Sequence, residues 1–399
     1  MAPEWDVRTR LVQADAESEE EGAPLNTPLV LSTTFRADPG GVGFSASDLG
    51  EESPFFYARW STPTVRTLEK RLAELEGGED ALCFASGMAA ITGLLLQLLK
   101  PGDHLVISDV CYAGAAEFAR GMLRRFGVEV TPVDTSRLDE VRAALRPNTR
   151  LVYIETPCNP ILKLTDVEAV ASLAHQAGAL LAVDSTIATP IGLQPLSLGA
   201  DFVIHSLTKY IGGHGDVLGG VVVGRGDALA ALRQESLIHL GAVLSPFPAW
   251  LILRSLATLP QRMAAHAASA LEVASFLEAH PRVRRVLYPG LASHPQAELA
   301  RRQLRNTSGL LSFQVEDGPA VARRLAERMK VVKYAVSLGK PHSLVFYLPT
   351  EDLQRTSFQL SPELLARYRD WAGEGIFRLS IGLEAPRDII RDLEQALAL

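Results

Sequence analysis

The chain has 399 residues, of which 47% are hydrophobic and 21% charged, with a formal net charge of −7. The length argues for more than one domain, and the composition excludes global disorder. An acidic balance leaves no electrostatic footprint for nucleic acid or an anionic membrane, so neither partner is expected. Only seven of the 39 basic residues are lysines, at 70, 100, 163, 209, 330, 333 and 340. A lysine in an apolar setting therefore needs a reason.

Cys83, Cys111 and Cys158 form no CxxC pair, which suggests neither a disulfide framework nor a zinc site. The longest apolar stretch, residues 91–99, falls short of the ~18 residues a membrane span needs. The first residues have no apolar core of a signal peptide. A reducing, cytoplasmic location is expected.

In chain order, residues 1–60 read as an arm with scattered Pro and Gly and an acidic run at Glu17, Glu19, Glu20 and Glu21, expected to be solvated. Thr62-Pro63 opens a helix with Leu68, Leu72 and Leu75 on one face, stopped by Gly77-Gly78. Strands are expected at 81–85, 104–107, 128–132, 151–154, 180–183 and 202–204. Helices fall between most of them, the clearest being residues 86–99. Near-continuous apolar strands separated by helices indicate a mainly parallel sheet covered on both faces. Beyond about residue 250 come an Ala-rich helix over 263–279 and a smaller α+β unit with strands at 310–315 and 376–381.

Ligands in such sheets sit beyond the carboxyl ends of the strands, so strand ends carry the chemistry. The first is followed by Ser86-Gly87-Met88 at a helix start, where cap, glycine and free amides form an anion site. Alone, the motif reads better as a plain capped helix. Another strand ends at Asp184-Ser185-Thr186, an acid that in isolation reads as a turn residue. The next runs into His205-Ser206-Leu207-Thr208-Lys209-Tyr210. Here is the lysine with an apolar run upstream and hydroxyls one and three residues before it. The other six are expected on an amphipathic helix, at a helix end or in polar connections. A desolvated lysine has a lowered pKa and serves as a Schiff-base nucleophile. A phosphate-type helix start, an acid and such a lysine together suit pyridoxal phosphate. Gly212-Gly213-His214-Gly215-Asp216 lacks nucleotide-loop spacing and is expected to be a flexible turn. The nine histidines show no HExxH spacing, and no GxSxG is present.

Ser86-Gly87-Met88, Tyr112, the VDST segment ending at Thr186, HSLTKY around Lys209, GHGD at 213–216 and RLSIGLE at 378–384 closely resemble the Cys/Met-metabolism pyridoxal-phosphate enzymes. The motifs stand in the family's order from Tyr57 to the C-terminus. The resemblance implies an α/β protein of fold type I, aspartate-aminotransferase-like. It would comprise an arm (1–60) serving a neighbouring subunit, a cofactor domain (61–255) and a C-terminal α+β domain (256–399). It implies that Lys209 binds the cofactor and moves protons, that Asp184 pairs with the pyridine nitrogen and that Tyr112 stacks on the ring. Ser86, Gly87, Met88, Ser206 and Thr208 would bind the phosphate, with Asn159 near the ring hydroxyl. Tyr57 and Arg59 would reach the phosphate of a neighbouring subunit, with Tyr57 also at the substrate. Arg378 would take the substrate carboxylate, with Ser337 beside it. A homotetramer of active dimers is expected.

Several positions depart from the family's pattern. Ser185 and Gly215 replace the usual Asn and Ser. Gly114 stands where methionine γ-lyases carry a cysteine, and His342 where cystathionine enzymes carry a glutamate. Residues 344–360 also diverge. The expected reaction is γ-elimination from a sulfur amino acid, methionine foremost, giving 2-oxobutyrate, ammonia and a thiol. Alternatives are cystathionine γ-lyase activity or γ-replacement on an acylated homoserine or by a cystathionine γ-synthase reaction. A cofactor-binding regulator is disfavoured, because the arm carries no helix-turn-helix pattern.

Overall fold

The computed structural model describes residues 5–13, 22, 24–39, 45–46 and 54–398; the acidic run lies outside them. The helix Pro63–Glu76 begins where Thr62 accepts the Val65 amide and Pro63 fills the first turn. It ends on Gly77 in the left-handed region (φ 71°), as the sequence predicts. Leu68, Leu72 and Leu75 are buried.

Seven strands build the larger sheet: β1 (Asp80–Phe84), β2 (His104–Ser108), β3 (Glu129–Val133), β4 (Thr149–Glu155), β5 (Leu180–Asp184), β6 (Phe202–Ser206) and β7 (Gly220–Gly224). Their order is β1-β7-β6-β5-β4-β2-β3. β2 to β6 pair in parallel, whereas β7 runs antiparallel to both β6 and β1. The expected mainly parallel sheet is present, with one strand, β7, that the sequence reading did not anticipate. Side chains alternate across it. Phe84, Leu105, Tyr153 and Ile204 join the helix Gly87–Leu98 in one core. Val152, Ile154, Leu181 and Val183 join the helix Val167–Gln176 in another. Both faces are therefore apolar, and only the strand ends are free to carry polar chemistry.

A second sheet, ordered β10-β11-β12-β9-β8, contains β8 (Val283–Leu287), β9 (Leu310–Val315), β10 (Lys333–Tyr334), β11 (Leu344–Pro349) and β12 (Gly375–Ser380). The helix Leu259–Ala279 starts four residues before the expected position, with Pro260 in its first turn. From that turn, buried Arg262 donates to the carbonyls of Tyr210 (2.5 Å), Ile211 (3.2 Å) and Ser255 (2.9 Å). The Gly213 amide closes onto the Lys209 carbonyl at 2.7 Å, and a Cβ on Gly213 would collide with Arg262. The start of the turn expected at 212–216 is thus held by Arg262 and the Lys209 carbonyl. No described helix is long and apolar enough to cross a membrane.

One lysine corrects the sequence reading. Lys163 is not in a solvated connection: its side chain is 5% exposed and pairs with Asp109 (3.0 Å) and Asp134 (2.7 Å). The two acids follow β2 and β3 directly, and the loop after β4 folds the lysine back between them.

Candidate active site

A cavity of about 450 Å³ opens beyond the carboxyl ends of β4, β5 and β6. Of the thirteen residues singled out from sequence, it gathers all except Tyr57 and Arg59: Ser86, Gly87, Met88, Tyr112, Asn159, Asp184, Ser206, Thr208, Lys209, Ser337 and Arg378 line it. Tyr57 bridges to Thr34, and Arg59 donates to the Ile238 carbonyl at 2.9 Å. Within one chain this pair lies outside the cavity.

The helix Gly87–Leu98 points its N-terminus into the site. The Ser86 hydroxyl takes the Ala89 amide (3.1 Å) and its carbonyl takes that of Ala90. The amides of Gly87 and Met88 have no partner among the described residues. Ser206 approaches so closely that a Cβ on Gly87 would stand 2.9 Å from its hydroxyl. Glycine is required for that approach, and the result is a cradle of unpaired amides with the Ser206 and Thr208 hydroxyls alongside. This donor set fits a phosphate.

At the end of β5, Asp184 accepts the Thr186 amide (3.0 Å) and the Tyr153 hydroxyl (3.3 Å). Burial pushes its carboxyl above the ordinary aspartate value despite these bonds. Glu155, its in-register neighbour on β4, also lines the cavity and is pushed well up by burial and by the Asp184 charge. Neither carboxylate has a cation in ion-pair contact among the described residues. Two such acids suit a cationic ligand group, and a pyridinium nitrogen is one. Sequence reasoning missed Glu155, although it ends its strand just as Asp184 does.

Lys209 Nζ donates to Ser337 Oγ at 3.2 Å. Burial, with Arg378 and Lys340 nearby, lowers its pKa, which favours the neutral nucleophilic amine. Ser337 holds φ at 94°, an uncommon conformation for a residue with a side chain. Arg378 donates to Asn159 Oδ1 and to the Ser337 carbonyl, both at 3.1 Å. Both acceptors are neutral, so its charge stays uncompensated and able to take a carboxylate. Ser380, two residues on, accepts the Gly339 amide at 3.1 Å. His342 is exposed and does not line the cavity.

A phosphate cradle after β1, a buried acid at the end of β5 and a desolvated lysine just past the adjacent β6 define a pyridoxal-phosphate enzyme of aspartate-aminotransferase-like fold. The chain belongs to the Cys/Met metabolism PLP-dependent enzyme family, whose pattern it matches over residues 8–398. It is 41% identical to a canavanine γ-lyase of Pseudomonas canavaninivorans, covering 96% of this chain and 93% of that one. It is equally identical to an L-methionine γ-lyase of Porphyromonas gingivalis, covering 98% and 96%. A solved cystathionine γ-synthase from Xanthomonas oryzae pv. oryzae, in complex with aminoacrylate and cysteine, superposes with a TM-score of 0.88. That structure is 34% identical, with 98% of each chain covered. The chain is thus a pyridoxal-phosphate enzyme of the carbon–sulfur lyase type, in a family that eliminates or replaces γ-substituents.

Proposed function

We propose that this enzyme eliminates the γ-substituent of an uncharged sulfur amino acid, L-methionine foremost, giving 2-oxobutyrate, ammonia and a thiol. The supporting observation is the wall of the cavity beside Arg378. Phe346 sits opposite Arg378 in the β11–β12 register, and Leu218, Val336, Leu338 and Leu348 complete an apolar surface. Among the described residues, the only carboxylates lining the cavity are Asp184 and Glu155, both at the strand ends. A distal amine or guanidine would lose its hydration against Phe346 and Leu348 with no counter-charge, whereas a thioether loses almost none. His342, being exposed, does not carry this preference; the wall does.

We assign the residue roles from their placement together with the family resemblance. Gly87 and Met88 amides with Ser86, Ser206 and Thr208 hold the phosphate, and Asp184 keeps the pyridine nitrogen protonated. Tyr112 would face the ring, and Asn159 would meet its hydroxyl, as both line the cavity. Pyridoxal phosphate, when bound, supplies a ring that absorbs the negative charge left on the substrate carbon. Arg378, with Ser337 beside it, clamps the substrate carboxylate and turns the single Cα proton toward Lys209. Lys209 Nζ removes that proton and relays it, and Tyr112 is placed to protonate near the departing sulfur.

Tyr57 and Arg59 reach the phosphate of a neighbouring subunit, within a homotetramer of active dimers in the cytoplasm. Their position outside their own chain's cavity supports service in trans. Arg59→Ala should therefore weaken pyridoxal-phosphate retention on dialysis, and unchanged retention would remove that role. The substrate reading is tested by assaying 2-oxobutyrate from methionine, cystathionine and canavanine, and by O-acetylhomoserine with sulfide. Methionine should give the highest kcat/KM. Higher kcat/KM with either charged substrate overturns the apolar-wall reading, and faster sulfide incorporation establishes replacement instead.

A further inference from the structure

Glu155 is the one acid at the site with no role in the scheme above, and its two oxygens have different partners. Oε1 accepts the Asn159 amide at 2.8 Å and Oε2 accepts the Tyr112 amide at 2.5 Å. Those amides belong to separate segments. Tyr112 precedes the short helix Ala113–Phe118 after β2 and makes no side-chain cap, while Asn159 lies in the loop after β4. The Asn159 side chain then receives Arg378 from the second sheet, Arg378 reaches the Ser337 carbonyl, and the Ser337 hydroxyl receives Lys209. A continuous set of hydrogen bonds thus runs from the ring-stacking tyrosine to the lysine, and Glu155 joins its first two members.

We propose that Glu155 is a positioning residue of the reaction, holding Tyr112 and Asn159 in register so that the ring face and the carboxylate clamp keep a fixed spacing. This inference rests on the site reading above. A carboxyl group suits the task for a chemical reason: it offers one acceptor oxygen to each of two amides, and those two bonds pull against the burial and the Asp184 charge that push its pKa up. It is buried, 5% exposed, so its oxygens have the two amides rather than bulk water as partners. A shift of about 1 Å in a positioned group costs up to ~100-fold in rate, so the spacing matters more than the bonds' own energies.

The test uses Glu155→Gln and Glu155→Asp in the full-length protein. Glutamine keeps the shape but turns an NH2 toward one amide; aspartate keeps the charge but is one methylene too short to span both. The readouts are pyridoxal-phosphate affinity by fluorescence titration, the visible circular dichroism of bound cofactor, and KM and kcat separately. Both variants should bind the cofactor several-fold more weakly and show altered dichroism, with kcat/KM for the working substrate down by about 10- to 100-fold. A purely structural staple would lower the melting temperature alone. Wild-type affinity, dichroism and KM in either folded variant would overturn the inference. Failure of the wild-type protein itself to bind pyridoxal phosphate would instead overturn the site reading, so the two failures are distinguishable.

Discussion

Lys209→Ala should fold, lose the visible absorbance of lysine-bound pyridoxal phosphate, and turn over substrate at least about a thousandfold more slowly. Proton transfer by a positioned side chain contributes about 10²–10⁴-fold, and this amine is placed for both attachment and transfer. Its Nζ is held by the Ser337 hydroxyl, and burial lowers its pKa. Lys209→Arg should be as inactive, because a guanidinium keeps the charge but cannot serve as the nucleophile or the base. The cofactor-free protein gives an independent check. A lysine whose folded pKa is depressed binds fewer protons folded than unfolded, so below its unfolded pKa the charged amine costs stability. Lys209→Met without cofactor should therefore melt no lower than wild type at pH 7, even though it is inactive. A normal visible band in Lys209→Ala, or activity within tenfold of wild type, would sink this assignment.

Most of the site was legible because one rule reaches it: in a doubly covered sheet, polar side chains directly after apolar strands face the ligand crevice. Ser86, Asp184 and Lys209 all follow from that rule. Glu155 follows it equally, but a lone acid at a strand end reads as a turn residue until its partners, the Tyr112 and Asn159 amides, are brought to it by the fold. Lys163 illustrates the opposite case. Its sequence neighbours say little, since its burial comes from a loop folding back onto Asp109 and Asp134, 54 and 29 residues away. Those acids also stand at strand ends, so one crevice edge carries the cavity-lining acids Glu155 and Asp184 and the adjacent edge an ion-paired set. Sequence position alone cannot sort them. The antiparallel β7 escaped for a topological reason: Gly220 to Gly224 pairs with β1 across some 140 residues of chain, and no local pattern encodes that partnership. Its glycine has a local purpose all the same, since a Cβ at Gly220 would collide with the Ser86 carbonyl beside the phosphate cradle.

Lys163→Met should lower unfolding stability by about 3–5 kcal/mol at neutral pH, the usual loss when one partner of a buried ion pair is removed. That is a large share of the ~5–15 kcal/mol typical of a folded protein. Removing the ammonium leaves two buried carboxylates facing each other. In wild type, burial pushes Asp134 up, but Lys163 and the bonds from Ser136 outweigh it and hold its pKa below the ordinary value. Lys163, despite burial, is held above its ordinary value by Asp109 and Asp134. The lysine's contribution is therefore complete below its unfolded pKa and lost only as pH rises through its raised folded pKa. The Asp134 contribution is present above its unfolded pKa and lost as pH falls through its depressed folded pKa. Asp109 alone opposes them: burial raises its pKa, so its ionised form costs stability. In Lys163→Met both acids lose their counter-charge, both folded pKa values rise, and the folded state takes up protons on acidification. The stability gap between variant and wild type should consequently narrow between pH 7.5 and pH 5.5 in urea denaturation. Replacing both acids by Asn in the Met background should recover much of the loss. A gap that stays constant or widens toward pH 5.5 would mean that packing of the lysine stem, not its charge, holds the loop carrying Asn159.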